Sequence, residues 1–258
     1  MYLKTIDFAN YSSIKVGQKE QVLILEKGDK FPDDRYLIGG ANNLLISPTP
    51  PPLMMLGKDF AYINQTDDML EIGASMPTGR IISYVKKHNI GGFEFCAKLP
   101  GFLGGLVAMN AGVKEYEIFD ILHSLQIDNR WVEASSIAHG YRFAKLEGIV
   151  TAARFKIHKP FDYELEKFLA TLRSNQPSTP SAGSAFKNPP NDSAGRLIDS
   201  VGLKGYIKGN MAFSPKHANF LVNLGGGVYE DALFLLQLAK ERVYQEFGII
   251  LQEEIILL

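Results

Sequence analysis

Cysteine is almost absent from this 258-residue chain, in which Cys96 stands alone. That excludes an internal disulfide, a cysteine metal cluster and a CxxC redox pair, and it suits a reducing compartment. Long apolar runs are missing too. None reaches the ~20 residues a membrane span needs, and Met1 to Asn10 carries charge without a signal-peptide pattern. Net charge is close to nil, with 27 basic residues against 28 acidic ones, so no global field recruits nucleic acid or an acidic membrane. The histidines lack metal-ligand spacing, and no Ser-His-Asp arrangement can be read. The expectation is a soluble, cytoplasmic protein that works as a monomer, with no nucleic-acid, membrane or metal partner.

What is present is a mixed pattern of short strands and helices. Val22 to Glu26 and Arg35 to Ile38 read as strands, then Gly39-Gly40-Ala41-Asn42-Asn43 interrupts before Leu44 resumes an apolar run. Pro48 and Pro50 to Pro52 break the chain and predict a first boundary at residue 52. Met69 to Ala74 looks extended. Thr78 is placed to cap a helix through His88, with Ile81, Tyr84, Val85 and His88 on one face. Leu122 to Asp128, Arg130 to Ala134 and Ile149 to His158 predict an antiparallel group. Pro160 predicts the next boundary, followed by a helix over Tyr163 to Arg173. Ala232, Leu236, Ala239, Val243 and Phe247 fall on helical spacing, which Gly248 ends.

Several clusters carry chemistry. In Gly183-Ser184-Ala185-Phe186-Lys187-Asn188-Pro189 a hydroxyl, an ammonium and a carboxamide follow a glycine and precede a helix-breaking proline. Strand alternation predicts Ser184, Phe186 and Asn188 on one face, as a pocket wall. The Gly39 to Asn43 turn can form a nest of backbone N–H groups for a pyrophosphate. Pro100-Gly101-Phe102-Leu103-Gly104-Gly105 leads to Asn110-Ala111-Gly112. Each of the adjacent glycines costs a short helix roughly 1 kcal/mol, a penalty that makes sense if a flat ligand or another backbone must come close. Tyr141-Arg142 offers a guanidinium suited to bidentate carboxylate binding. Glu254 lies in the apolar run Leu251 to Ile256, where an inward carboxylate must be paired or functional; Glu253 is expected to face solvent. His217 is given a supporting role. From Lys187 to Lys216 the sequence carries a local excess of +3, suited to an anionic small molecule.

In order, these blocks resemble the UDP-N-acetylenolpyruvoylglucosamine reductases, flavoenzymes of bacterial cell-wall precursor synthesis. The family's glycine-serine-asparagine turn looks like Gly39 to Leu45, with Ala41-Asn42 where the family favours glycine-serine. Its proline-glycine segment looks like Pro100 to Gly112, its tyrosine-arginine pair is similar to Tyr141-Arg142, and its GSxFKNP block stands at Gly183 to Pro189. Ala194 to Ile198, Gly202 to Gly205, Ser214 to Asn223 and Leu251 to Ile256 follow in family order. After Tyr141-Arg142, Ala144 and Leu146 replace the family's usual serine and phenylalanine.

The resemblance implies an α+β fold. A two-part FAD-binding region of the vanillyl-alcohol-oxidase (PCMH) type would occupy residues 1–52 and 53–160, and a C-terminal α+β substrate-binding domain residues 161–258. It implies noncovalent FAD, since no His or Cys lies in the glycine-rich turn, with NADPH as co-substrate and a UDP-sugar as substrate. Implied cofactor contacts are Gly39, Gly40, Ala41, Asn42, Asn43 and Leu44, then Pro100, Gly101, Gly104, Gly105, Asn110, Ala111 and Gly112. Implied catalytic residues are Arg142, Glu254 and Ser184, the last as proton donor. Tyr141, Lys187, Asn188, Lys204 and His217 would hold substrate. Two other readings fit less of the chain: a different FAD-dependent oxidoreductase of this fold acting on another sugar or hydroxy acid, and a catalytically silent flavin or nucleotide-sugar binding module.

Overall fold

Leu53–Leu56, the first strand after the proline cluster, lies between Lys19–Leu25 and Tyr36–Leu37 and pairs in parallel with both. The computed structural model covers residues 1–258 and divides into two compact units. The proline cluster therefore does not end a sheet. Val22–Gly40 and Pro52–Ser174, with Met1–Lys4, form one unit; Thr5–Gln21, Ala41–Pro51 and Asn175–Leu258 form the other. This partition differs from the expected segments 1–52, 53–160 and 161–258 because parallel pairing joins strands distant in sequence. The architecture is α+β. No helix is long and apolar enough to cross a membrane.

In the first unit a five-stranded antiparallel sheet runs in the order Arg130–Glu133, Leu122–Ile127, Val150–Lys156, Met69–Gly73 and Ile63–Gln65. Helix Thr78–Lys87 contributes Ile81 and Val85 to the core, as its periodicity predicts, and Ile82 as well, while Tyr84 is half-buried and His88 exposed. Thr78 does not cap it. The N-cap is Pro77, and the Thr78 hydroxyl donates instead to the Gly101 carbonyl at 3.0 Å. Asn89, at φ 53, ends this helix, and the Ile90 N–H donates to the Val85 carbonyl. Helix Tyr163–Leu172 belongs to this unit. Asp162 caps it by accepting from the Glu164 and Leu165 N–H groups, and Leu169 is buried against the same core.

In the second unit an antiparallel sheet runs Ser181–Ser184, Phe220–Asn223, Met211–Phe213 and Ile207–Lys208. The helix Tyr229–Phe247 packs Ala232, Leu235, Leu236, Ala239 and Val243 onto it and stops at left-handed Gly248. Leu44–Leu45 pairs in parallel with Ile256–Leu257. That pairing brings the turn residues Ala41 to Asn43 to the C-terminal strand.

Candidate active site

Ser184 ends its strand where the register slips. Ser181 pairs with Val222 and Ser184 with Phe220, so the first strand carries an extra residue at Gly183, which has φ +81. The strand ends at Ser184, so the expected alternation does not run on to Phe186 and Asn188. Ser184 is half-buried, Phe186 is wholly in the core and Asn188 is exposed. The three do not share a wall. What fixes the segment is Asn219, a residue the sequence did not single out. Its Nδ2 donates to the Phe186 carbonyl at 2.8 Å, its Oδ1 accepts from the Phe186 N–H at 3.0 Å, and its own carbonyl accepts from the Ala185 N–H at 2.7 Å.

On the other edge the same segment meets the C-terminal run. The Glu254 N–H donates to the Ala185 carbonyl at 2.9 Å, and the Lys187 N–H donates to the Gln252 carbonyl at 2.9 Å. Glu254 is thereby set one residue from Ser184 across a backbone bond, while Asn43 Nδ2 donates to the Glu254 carbonyl at 2.9 Å. Glu254 is half-buried rather than sealed in a strand. Glu253, expected in solvent, pairs with Lys240 at 2.8 Å.

Of the basic stretch, most charges are already engaged. Arg196 is paired with Asp192, Lys204 with Asp199 at 3.0 Å, Lys216 donates to the Gln176 carbonyl, and Lys208 lies over the Phe234 ring. Lys187, half-buried, has no hydrogen bond, ion pair or ring contact for its ammonium. Asn188 Oδ1 accepts from the Ala194 N–H at 3.0 Å, beside the start of helix Ala194–Ser200. His217 packs edge-on to Phe220, and its Nδ1 accepts from the Asn219 N–H at 3.3 Å. Burial pushes its pKa down, and the nearby Lys204 ammonium acts in the same direction.

The first unit holds a cavity of about 250 Å³, lined largely by Gly39, Ile38, Phe102, Gly104, Gly105 and Leu146. The adjacent glycines differ. A methyl group on Gly104 would meet the Cβ and carbonyl oxygen of Ala74 at 3.3 Å, whereas one on Gly105 would meet nothing within 4 Å. Gly104 lets helix Leu103–Ala108 pack on the sheet, and Gly105 leaves space open. At Gly39 an added methyl would find only the Phe102 ring, at 3.8 Å. In the other unit Asn42 Oδ1 is buried without a partner, while its Nδ2 donates to the Ser13 hydroxyl at 2.6 Å. The apolar slot of the first unit, with its bare α-carbons, fits a flat ring of a cofactor.

Gly101 lends its carbonyl to Thr78, Leu44 pairs with Ile256, Ala41 (φ 49) is buried, and the Ala111 N–H donates to the Leu106 carbonyl. Asn110 is fully buried within a hydrogen-bonded knot.

Tyr141 and Arg142 form the turn between the short strands His139–Gly140 and Phe143–Ala144, with Arg142 at φ 59. Arg142 Nη2 donates to the Gly112 carbonyl at 3.3 Å, and its guanidinium lies 5.0 Å from the Tyr141 ring centre. Sequence reasoning missed Arg173, the C-cap of helix Tyr163–Leu172. Its half-buried guanidinium has no hydrogen bond or ion pair. Burial lowers its pKa first, and the charge of Arg142 lowers it further. The two like charges lie close enough for each to be felt by the other. A helix-end arginine carries no local signal of this.

Comparison with known proteins places the chain among close relatives. The family model for the C-terminal domain of UDP-N-acetylenolpyruvoylglucosamine reductase matches residues 175–258. A Helicobacter pylori protein named UDP-N-acetylenolpyruvoylglucosamine reductase is 46% identical over 251 residues, 97% of each chain. A Campylobacter jejuni protein of the same name is 44% identical over 258 residues, covering 98% of this chain and 99% of its own. Among solved structures, a UDP-N-acetylenolpyruvylglucosamine reductase from Thermus caldophilus matches with a TM-score of 0.86 at 28% identity, over 100% of this chain and 99% of that one.

Proposed function

Because this chain belongs to the UDP-N-acetylenolpyruvoylglucosamine reductase family, we propose that it reduces the enolpyruvyl group of UDP-N-acetylglucosamine enolpyruvate to UDP-N-acetylmuramate. NADPH would be the electron donor, FAD the mediator, and the reaction a step of peptidoglycan precursor synthesis. The observation that supports the reading is the backbone bond from Glu254 to Ala185, which joins the segment of the expected carboxylate to the segment of the expected proton donor Ser184.

FAD, when bound, supplies hydride chemistry for the terminal carbon of the enolpyruvyl double bond. The slot around Gly39 and Gly105 would take its flat ring. The protein's own part is to manage charge and protons. As the double bond gains hydride, negative charge develops on the adjacent carbon and its carboxylate. The Arg142 guanidinium would stabilise that charge, with the Arg173 charge reinforcing it. The Ser184 hydroxyl would donate a proton to the adjacent carbon, completing addition of two hydrogens. Glu254, if protonated, would stabilise the same charge. Lys187, its ammonium unengaged, would hold the diphosphate of the UDP-sugar, and Tyr141, Asn188, Lys204 and His217 would hold other parts of the substrate. An alkoxide is a poor product at neutral pH, so Ser184 needs proton supply through a neighbour.

The test is NADPH consumption by the purified yellow protein with and without UDP-N-acetylglucosamine enolpyruvate. Consumption that requires the sugar, with a product heavier by two hydrogens, supports the reading. Oxygen-dependent consumption indifferent to the sugar refutes it and leaves a flavoprotein with another substrate.

A further inference from the structure

Asn110 is wholly buried at φ 42, and both N–H donors and the oxygen of its carboxamide bond to protein groups. Nδ2 donates to Glu117 Oε2 at 2.6 Å and to the Gly140 carbonyl at 3.1 Å, while Oδ1 accepts from the Phe119 N–H at 3.2 Å. Gly140 is the residue that enters the Tyr141-Arg142 turn. The far side of that turn returns to the same segment, because Arg142 Nη2 donates to the Gly112 carbonyl and Gly112 pairs with Glu117. Both ends of the turn thus rest on residues 110 to 117.

Glu117 decides which way the carboxamide faces. A carboxylate accepts and cannot donate, so it selects the NH₂ end of Asn110 and leaves the oxygen for Phe119. Glu117 is itself fixed at the start of helix Ile118–Ile121, where its N–H donates to Asp120 Oδ2 at 2.7 Å in a capping box. Only a carboxamide supplies two donors and one acceptor at this site. Aspartate would lose both donors and set two carboxylates together, and serine is too short to reach three partners.

We propose that Asn110, oriented by Glu117, is a positioning residue that sets the Arg142 guanidinium for the enolpyruvyl carboxylate, and not a contact to the cofactor. The inference rests on the proposed reaction and deepens it. A displaced guanidinium loses transition-state stabilisation without loss of the binding slot, since a misplacement of about 1 Å can lower a rate by about 10²-fold.

The experiment compares Asn110→Ala, Glu117→Gln and Arg142→Ala holoenzymes with wild type. Asn110→Ala should stay yellow with full FAD content and be reduced by NADPH at the wild-type rate. It should lose enolpyruvyl-dependent turnover by about 10²-fold, and the Asn110→Ala/Arg142→Ala double variant should be little worse than Arg142→Ala alone. In the apoprotein, hydrogen exchange over residues 139–144 should accelerate while the five-stranded sheet stays protected. Glu117→Gln keeps an acceptor oxygen without the charge and should fall between, so it carries the test if Asn110→Ala does not fold. Colourless Asn110→Ala, wild-type turnover and exchange in either folded variant, or losses that multiply with Arg142→Ala would each overturn the proposal. If the wild-type enzyme ignores the enolpyruvyl sugar, the proposed function fails, and exchange over 139–144 alone then decides whether Asn110 holds the turn.

Discussion

Asn219 closes both ends of its carboxamide on one residue, accepting from the Phe186 N–H and donating to the Phe186 carbonyl. It stands in for a neighbouring strand at the point where the bulged Ser184 segment has run out of one. Removing it as Asn219→Ala leaves the buried N–H and C=O of Phe186 without partners, at about 1–3 kcal/mol for each such group. The urea midpoint should fall by a corresponding amount. Turnover of the folded fraction should fall as well, because Ser184 is two residues away. A variant with wild-type midpoint and turnover would show that the segment is held by its other bonds.

Ser184→Ala is expected to separate function from stability. The hydroxyl has no structural hydrogen bond, so the melting temperature and FAD content should hold. Turnover should fall by about 10²–10⁴ in a stopped assay with the enolpyruvyl sugar. Full turnover would remove Ser184 from the reaction.

Gly104 and Gly105 should fail in different ways. Gly105→Leu points into open space and should give folded, colourless protein with a native circular-dichroism spectrum. Gly104→Leu must force helix Leu103–Ala108 away from Ala74, so its apoprotein should melt earlier. Equal melting of the two apoproteins would show that the contact with Ala74 is unimportant.

Arg142→Lys should be nearly as slow as Arg142→Ala, because an ammonium cannot bind a carboxylate bidentately, with about 10²–10³ lost in rate. Arg173→Gln removes a like charge whose field acts on Arg142. Its apoprotein should be no less stable, while KM for the enolpyruvyl sugar rises and becomes less sensitive to salt. An unchanged KM would leave Arg173 without a role in binding.

His217 makes a small contribution to acid sensitivity. Its folded pKa lies below the ordinary value of 6.5 through burial, so the neutral ring is favoured in the folded state. That stability is fully present above the unfolded pKa and is lost as pH falls through the depressed folded value. The urea midpoint of the wild type should therefore drop more steeply than that of His217→Gln below pH 6.5. Parallel pH profiles would place the acid sensitivity elsewhere.

Much of the local structure was legible in the chain. Met69 to Ala74 and Ile149 to His158 read as extended and contain the strands Met69–Gly73 and Val150–Lys156, helical spacing marked Tyr229–Phe247, and Gly248 marked its end. The linear blocks around Gly39, Gly183 and Leu251 sufficed to suggest the family. All of these depend on interactions within a few residues, where spacing and backbone preference act directly. Tertiary structure alone decided what the polar residues of those blocks do. Asn110 turned inward to Gly140 and Glu117, Asn188 to Ala194, and Asn219 to Phe186, while Arg173 came near Arg142 without a partner. A carboxamide has the same hydrogen-bonding capacity at every position. Which backbone groups lie within 3 Å of it depends on strands that meet across long stretches of chain, and no spacing in the sequence encodes that meeting.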